Sequence, residues 1–339
     1  MKAIVVGDMH AVLNELNDCE RVIDAIVEFQ KETGATTLIF LGDQTHNHAV
    51  LNVFVMAFWN SAYKKLSKRF SRIVVLVGNH DLPGNTGQAV IPNSMQVFSD
   101  MITVVDDFYE MDDCLFVGYQ FDHNKFIDIC HKNQKIDTVF CHQTFQGAQY
   151  ENGFYATDGI EPSALPNNQK FFSGHIHSPA EFANVKYIGA PRWRTVSDAS
   201  VNERNIVLFD TVSQSIEKLF CLNQYVSRMV KFSMKEDLEP AIKLHELVAT
   251  LKPEDKILCD LEGSKNWIDA TAKIIDEIKG GKNAPKMVVK TSITDNCNNS
   301  TIKESEGISV SIVKYARASQ EKTPPEVLLK MIEERILCQ

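Results

Sequence analysis

Apolar residues fall in short unbroken runs along the first half of the chain. Ala3–Val6, Thr37–Leu41 and Ile73–Val77 lack the polar alternation of a half-exposed strand, so they predict strands buried on both faces. Between them the period changes. Cys19–Lys31 repeats at helical spacing, with Val22, Ile23, Ile26, Val27 and Phe29 on one face, and His48–Leu66 is apolar almost throughout. Strand, helix, strand, helix, strand predicts right-handed crossovers and a mostly parallel sheet. Past residue 100 the runs shorten to Ile102–Val105, Leu115–Gly118, Thr138–Cys141, Phe171–Gly174 and Val185–Gly189. Ile206–Asp210 and Ile216–Phe220 read as a closing hairpin. The longest interruption, Gln143–Gln169, has the length of a functional loop.

The pattern divides the chain in three. Residues 1–222 form the first domain. Residues 223–316 predict a smaller α+β domain: strand Ser227–Phe232, helix Leu238–Leu251, strand Lys256–Leu261, helix Ile268–Lys279 and strand Lys286–Thr291. Residues 317–339 predict a tail helix, with Thr323 as N-cap, prolines in its first turn and a stripe of Leu328, Met331, Ile332 and Ile336.

Composition narrows the class. The chain is 44% apolar and 23% charged, a soluble globular balance. No apolar run approaches the roughly 20 residues of a membrane span. The N-terminus, MKAIVVGDMH, runs into a strand without a cleavable signal pattern. The eight cysteines include no CxxC pair, which points to a reduced, cytoplasmic setting. Net charge is −9, all of it in residues 1–222, which excludes a simple DNA-coating protein. An acidic domain is unwelcoming to phosphate unless it carries cations.

Five polar clusters sit at the ends of predicted strands, where sites form in open α/β sheets. They are Asp8-Met9-His10, Gly42-Asp43-Gln44-Thr45-His46, Gly78-Asn79-His80-Asp81, Cys141-His142 and Gly174-His175-Ile176-His177. Asp, Asn and His offer oxygen and imidazole donors that suit Mn, Fe or Zn, without the thiolates of a structural zinc site. Seven or so ligands are too many for one ion. Two ions about 3.5–4 Å apart, sharing a carboxylate, would use them all and would activate a water against a phosphate ester.

These clusters, in this order, resemble the calcineurin-like metallophosphoesterases, whose signature is DxH, GD, GNHD or GNHE, H and GHxH. The resemblance covers residues 1 to about 222, and GNHD and GHIH are its most specific parts. It implies an αββα two-sheet sandwich with a smaller α+β cap domain and a C-terminal helix. It also implies two divalent ions, manganese first among them. Asp8, His10 and His177 would hold the first ion, Asp43 would bridge, and Asn79, His142 and His175 would hold the second. His80 would face the scissile phosphate and stabilise charge or protonate the leaving oxygen, with Asp81 orienting it.

GDQTH is similar to the GDxFH form of SbcD-type repair nucleases, which would make His46 a second active-site histidine, while His48 reads as a surface-loop residue. The stretch GHIHSPAEFANVKYIGAPRWRTVSD resembles phage members of that group, and Arg192, Trp193 and Arg194 would touch nucleic acid. The resemblance implies a DNA exonuclease and endonuclease acting in recombination or repair. Its partner would be an SbcC-type coiled-coil ATPase docked on the tail helix, with a homodimer inside a heterotetramer. It implies no membrane, and host cytoplasm if the chain is viral. Three departures stand out. The first cluster reads GDMHAV instead of GDxHLG, Cys141 replaces a glycine, and the proline after the second cluster is absent. None removes a ligand. A metallophosphatase or cyclic-nucleotide phosphodiesterase on the same core, or a mainly scaffolding subunit, remain the alternatives. Two basic stretches are available to DNA. One is Lys64, Lys65, Lys68, Arg69 and Arg72, and the other is Lys279, Lys282, Lys286 and Lys290. Either also fits a solvated face.

Overall fold

A computed structural model describes residues 2–84, 92–150, 153–236, 240–281 and 284–293. The predicted tail domain, residues 317–339, lies outside the described residues, as do residues 294–316 at the end of the predicted cap and Lys282.

The first sheet is built from β1 (Lys2–Val6), β2 (Thr37–Phe40), β3 (Arg72–Leu76) and β4 (Thr103–Val105), all parallel. The hairpin β11 (Asn205–Asp210) and β12 (Ser215–Cys221) extends it antiparallel on the β1 side. The second sheet runs in the order β5 (Phe108–Met111), β6 (Cys114–Val117), β7 (Thr138–His142), β8 (Lys170–Gly174), β10 (Val185–Tyr187) and β9 (Ala180–Phe182). Alternation along the strands makes the layers. Ala3, Val5, Ile39, Leu41, Val74 and Leu76 meet Phe116, Phe140 and Phe172 between the sheets. The intervening Ile4, Val6, Leu38, Phe40, Ile73 and Val75 pack outward on α1 (Leu16–Thr33) and α2 (Val53–Leu66). On the far side Val139, Cys141 and Phe171 cover α3 (His123–Lys132). This is the αββα sandwich. Its parallel strands are buried on both faces, and that is why they read as unbroken apolar runs.

Four elements differ from the pattern reading. The second helix starts at Val53, where Asn52 accepts a hydrogen bond from the Phe54 amide as N-cap, so His48 lies in the preceding loop. Helix α3 was unforeseen. It is short, and only Phe126, Ile129 and Cys130 are buried on it. The edge strands β5 and β9 were also unforeseen, because neither carries a run of apolar residues.

A third sheet follows. Its strands β13 (Met229–Lys235), β14 (Lys256–Gly263) and β15 (Lys286–Ile293) are parallel and adjacent, joined by α4 (Pro240–Ala249) and α5 (Lys265–Lys279). Ile257, Cys259, Leu261 and Met287 bury one face against Leu244, Ile268 and Ile275 of the helices. The alternate positions Lys231, Lys235, Lys256, Lys286 and Lys290 fall on the other face. Asp18 of α1 ties this unit to the first sheet by accepting from the Ser227 amide and hydroxyl. No described helix is long and apolar enough to cross a membrane.

Candidate metal centre

All five polar clusters converge at the carboxyl ends of β1, β2, β3, β7 and β8. The loops after β1 and β2 run side by side, with the His10 amide donating to the Asp43 carbonyl at 2.8 Å. Three residues there hold a left-handed backbone without being glycine: His10 (φ 44°), Asp43 (φ 51°) and His175 (φ 80°). Such strain persists only where surrounding contacts over-determine it, and it clusters at functional sites. Glycines make room. A Cβ on Gly78 would fall 2.1 Å from Asp43 Oδ1, and one on Gly174 would fall 2.6 Å from Asp8 Oδ1.

The side chains fall into two groups. Around Asn79 Oδ1 stand His142 Nε2 at 3.1 Å and His175 Nδ1 at 3.0 Å, and Asp43 Oδ1 is 3.4 Å from His142 Nε2. Next to them, His10 Nε2 is 3.0 Å from His177 Nε2 and 3.4 Å from Asp43 Oδ2. The two oxygens of Asp43 therefore face different groups. Asp8 stands beside the first of these groups, accepting from the His175 amide at 2.8 Å through Oδ2 and lying 3.5 Å from His142 Nδ1 through Oδ1. One ligand atom each from Asp43, His142 and His175 lies within 4.8 Å of the others, and the same holds for His10, His46 and His80.

These atoms fit divalent cations. His142 Nδ1 donates to the Leu41 carbonyl at 2.7 Å, so in the neutral ring Nε2 presents a lone pair to the oxygen of Asn79. Asp8 Oδ1 is buried with no hydrogen-bond partner. Acceptors that converge without a donor are costly unless a cation sits among them. Burial pushes Asp8 up to about 6, with Asp43 adding to the rise. Burial alone would lower His142, but Asp43 and Asp8 outweigh it and lift that ring to about 9. Burial, reinforced by His142, depresses His175 to about 3. A site that must hold a proton this way is one where metal binding releases protons.

A second circle braces the first. Asp81 accepts from the amides of Gly78, Gln44 and Thr45 at 3.0, 3.2 and 2.9 Å, locking the second loop to the third. The His80 amide donates to Asp43 Oδ1 at 2.9 Å, and His80 Nδ1 donates to the His46 carbonyl at 2.7 Å. His46 is held down to about 4, first by burial and then by Arg194, so it stays neutral at physiological pH.

The geometry revises two of the expected nucleic-acid contacts. Arg192 is 1% exposed and points inward. Its guanidinium donates to the carbonyls of Met9 and His10 at 2.9 and 2.7 Å and to Glu15 at 2.7 Å. Trp193 is 3% exposed, donates to the Val201 carbonyl, and lies under the Arg204 guanidinium at 5.4 Å. Both side chains are built into the interior. Arg194 is half-buried beside Glu15; burial depresses the His46 and His10 rings, and Arg194 adds to the depression of both.

Two residues were missed by sequence reasoning. Asp198 is fully buried, 3.6 Å from His177 Nδ1 and 2.9 Å from Arg204, and it accepts from the amides of Arg194 and Thr195. The motif RTVSD carried a capping signal that pointed to it. His48, expected as a surface-loop residue, stacks on His80 at 4.2 Å between ring centroids.

The sequence profile of the calcineurin-like phosphoesterases matches residues 1–179. This chain belongs to that family. The phosphoesterase is 28% identical over 235 residues to exonuclease subunit 1 of Enterobacteria phage T4, an alignment that spans 64% of this chain and 67% of that one. Structural neighbours include the phosphoesterase Yfce from E. coli (14% identity, 66% of this chain and 100% of that one, TM-score 0.33). A nuclease MPE from Pseudomonas putida aligns at 16% identity, 65% and 87% coverage, and TM-score 0.32. A phosphatase from Mycoplasma pneumoniae aligns at 12% identity, 65% and 92% coverage, and TM-score 0.38.

Proposed function

We propose that this phosphoesterase is a DNA nuclease subunit that hydrolyses phosphodiester bonds with two divalent metal ions, manganese in the first place. The observation that carries the reading is that Asn79, His142 and His175 meet at one point and His10 and His177 at a neighbouring one, with Asp43 turned toward both and Asp8 beside the first. Asp8, His10 and His177 would hold one ion, Asn79, His142 and His175 the other, and Asp43 would bridge. When bound, such a pair neutralises phosphate charge and activates a water. The chain itself supplies the rest. His80, held by the His46 carbonyl through Nδ1, keeps Nε2 available toward a substrate. There it stabilises developing charge or carries a proton to the leaving oxygen. His46, kept neutral, stands beside it. Asp81 fixes the turn that presents His80.

The relation to the phage T4 exonuclease subunit supports DNA as substrate and a recombination or repair role in a host cytoplasm. That protein's description as a subunit fits a partnered enzyme, and the partner proposed is the SbcC-type ATPase that the sequence resemblance implies. In this reading residues 223–316 cap the site and bind DNA, and residues 317–339 dock the ATPase. Helix α2, whose Val53 and Phe54 are 78% and 66% exposed, forms the homodimer face within the heterotetramer. Arg194, Lys256 and Lys286 line a cleft of about 260 Å³ where the third sheet meets the Thr195 loop, a cationic approach for the DNA backbone.

The test compares linear duplex and single-stranded DNA with a simple phosphomonoester, each with manganese. Cleavage of both DNA forms, with the monoester turned over far more slowly, is expected. A preference for the monoester would support the phosphatase alternative instead. Deleting residues 317–339 should abolish ATPase capture and leave cleavage of single strands intact.

A further inference from the structure

His48 lies outside the seven metal-donor positions, yet it grips the residue between them and the substrate. Its Nδ1 donates to the Asn79 carbonyl at 3.0 Å. On the other side of that peptide the His80 amide donates to Asp43 Oδ1 at 2.9 Å. The Asn79–His80 peptide is therefore clamped at both its polar atoms. The ring of His48 also lies nearly parallel to that of His80, at 27° and 4.2 Å, closer than the His46 ring at 5.3 Å. His10 approaches the His80 ring edge-on at 4.7 Å. With Nδ1 of His80 committed to the His46 carbonyl, these contacts leave its imidazole one tautomer and little freedom to rotate.

We propose that His48 is a positioning residue for His80: its hydrogen bond to the Asn79 carbonyl and its ring stack together hold the His80 imidazole in the orientation that meets the scissile phosphate. The proposal rests on the phosphodiesterase reading for what His80 does, but not for how His80 is held. A group that must meet a phosphate within a fraction of an ångström loses rate steeply when its support loosens. The signature is a fall in kcat with the metal sites untouched, because His48 donates to a backbone carbonyl and not to a metal-donor atom.

Three variants separate the two contacts. His48→Ala removes both, His48→Phe keeps the ring and loses the donor, and His48→Gln keeps a donor and loses the ring. Manganese-dependent hydrolysis of bis(p-nitrophenyl) phosphate is measured with the full chain, alongside manganese titration by calorimetry. The expected result is a kcat about tenfold lower in His48→Ala, with KM and manganese affinity as in the parent, and partial recovery in the Phe and Gln variants. Parent-like kcat in His48→Ala would overturn the proposal, and so would a loss of one bound manganese that accounts for the whole rate effect. If the parent chain hydrolyses no diester, the functional reading fails and His48 is judged by imidazole nitrogen NMR. His80 should then show one Nδ1–H tautomer in the parent and a mixture in His48→Ala. An unchanged tautomer there sinks the proposal.

Discussion

The carboxyl ends of the two large sheets and the three-stranded sheet obey opposite rules. In the three-stranded sheet, alternate residues do what binary patterning asks: Ile257, Cys259 and Leu261 face helices while Lys256, Asp260 and Glu262 face away. At the strand ends of the sandwich, Asp8, His10, Asp43, Asn79 and His142 are buried where a folding-only design would place apolar residues. Three non-glycine residues there are strained, and Asp8 Oδ1 has no donor. The difference teaches where function was placed. A site that breaks several local rules at once is kept for its chemistry, and the apolar layers around it supply the stability.

Three variants would break or sharpen that contrast. The largest effect is expected from Asp43→Asn. It removes the one carboxylate facing both donor groups, so manganese-dependent diester hydrolysis should fall at least about a thousandfold, with calorimetry showing weakened manganese binding. Normal activity would mean that the convergence is ordinary structure. Next is Arg192→Met. Because Arg192 holds the Met9 and His10 carbonyls and Glu15 from inside, its loss should cost about 3 kcal/mol in urea unfolding, by analogy with a broken buried pair. Unchanged stability with lost duplex binding would restore Arg192 as a DNA contact. The smallest effect belongs to the third sheet. Lys286→Glu with Lys290→Glu, on exposed β15 positions, should flatten the salt dependence of duplex binding by about one unit per lysine and leave hydrolysis of a small diester unchanged. Unaltered duplex binding would reduce that face to a solvated one.

Much of this was legible in advance for particular reasons. The strands of the sandwich are buried on both sides, so Ile4–Val6 or Ile73–Leu76 can hardly be anything else. The polar clusters stood out because each interrupts such a run at the same end of a strand. What stayed hidden had weak local signals. Helix α3 has a single turn's worth of buried residues, and the edge strands β5 and β9 contain no fully buried residue. Arg192 and Trp193 were expected at nucleic acid because their segment resembles phage nucleases, a resemblance that carries no local signal of burial. Only the path of the chain, which brings residue 192 behind Met9 and His10, turns them inward.

The sequence by itself determined the buried parallel strands, the helices between them and the residue types of the proposed metal donors, because burial period and side-chain chemistry are local properties. The tertiary structure decided which donors share a point, that Asp43 faces two groups, that Arg192 braces and does not reach out, and that His48 stands against His80. Those are contacts between segments far apart along the chain, such as His10 with His177 and His142 with Asn79. Residue type offers a menu of partners, and only the fold places one of them within 3 Å.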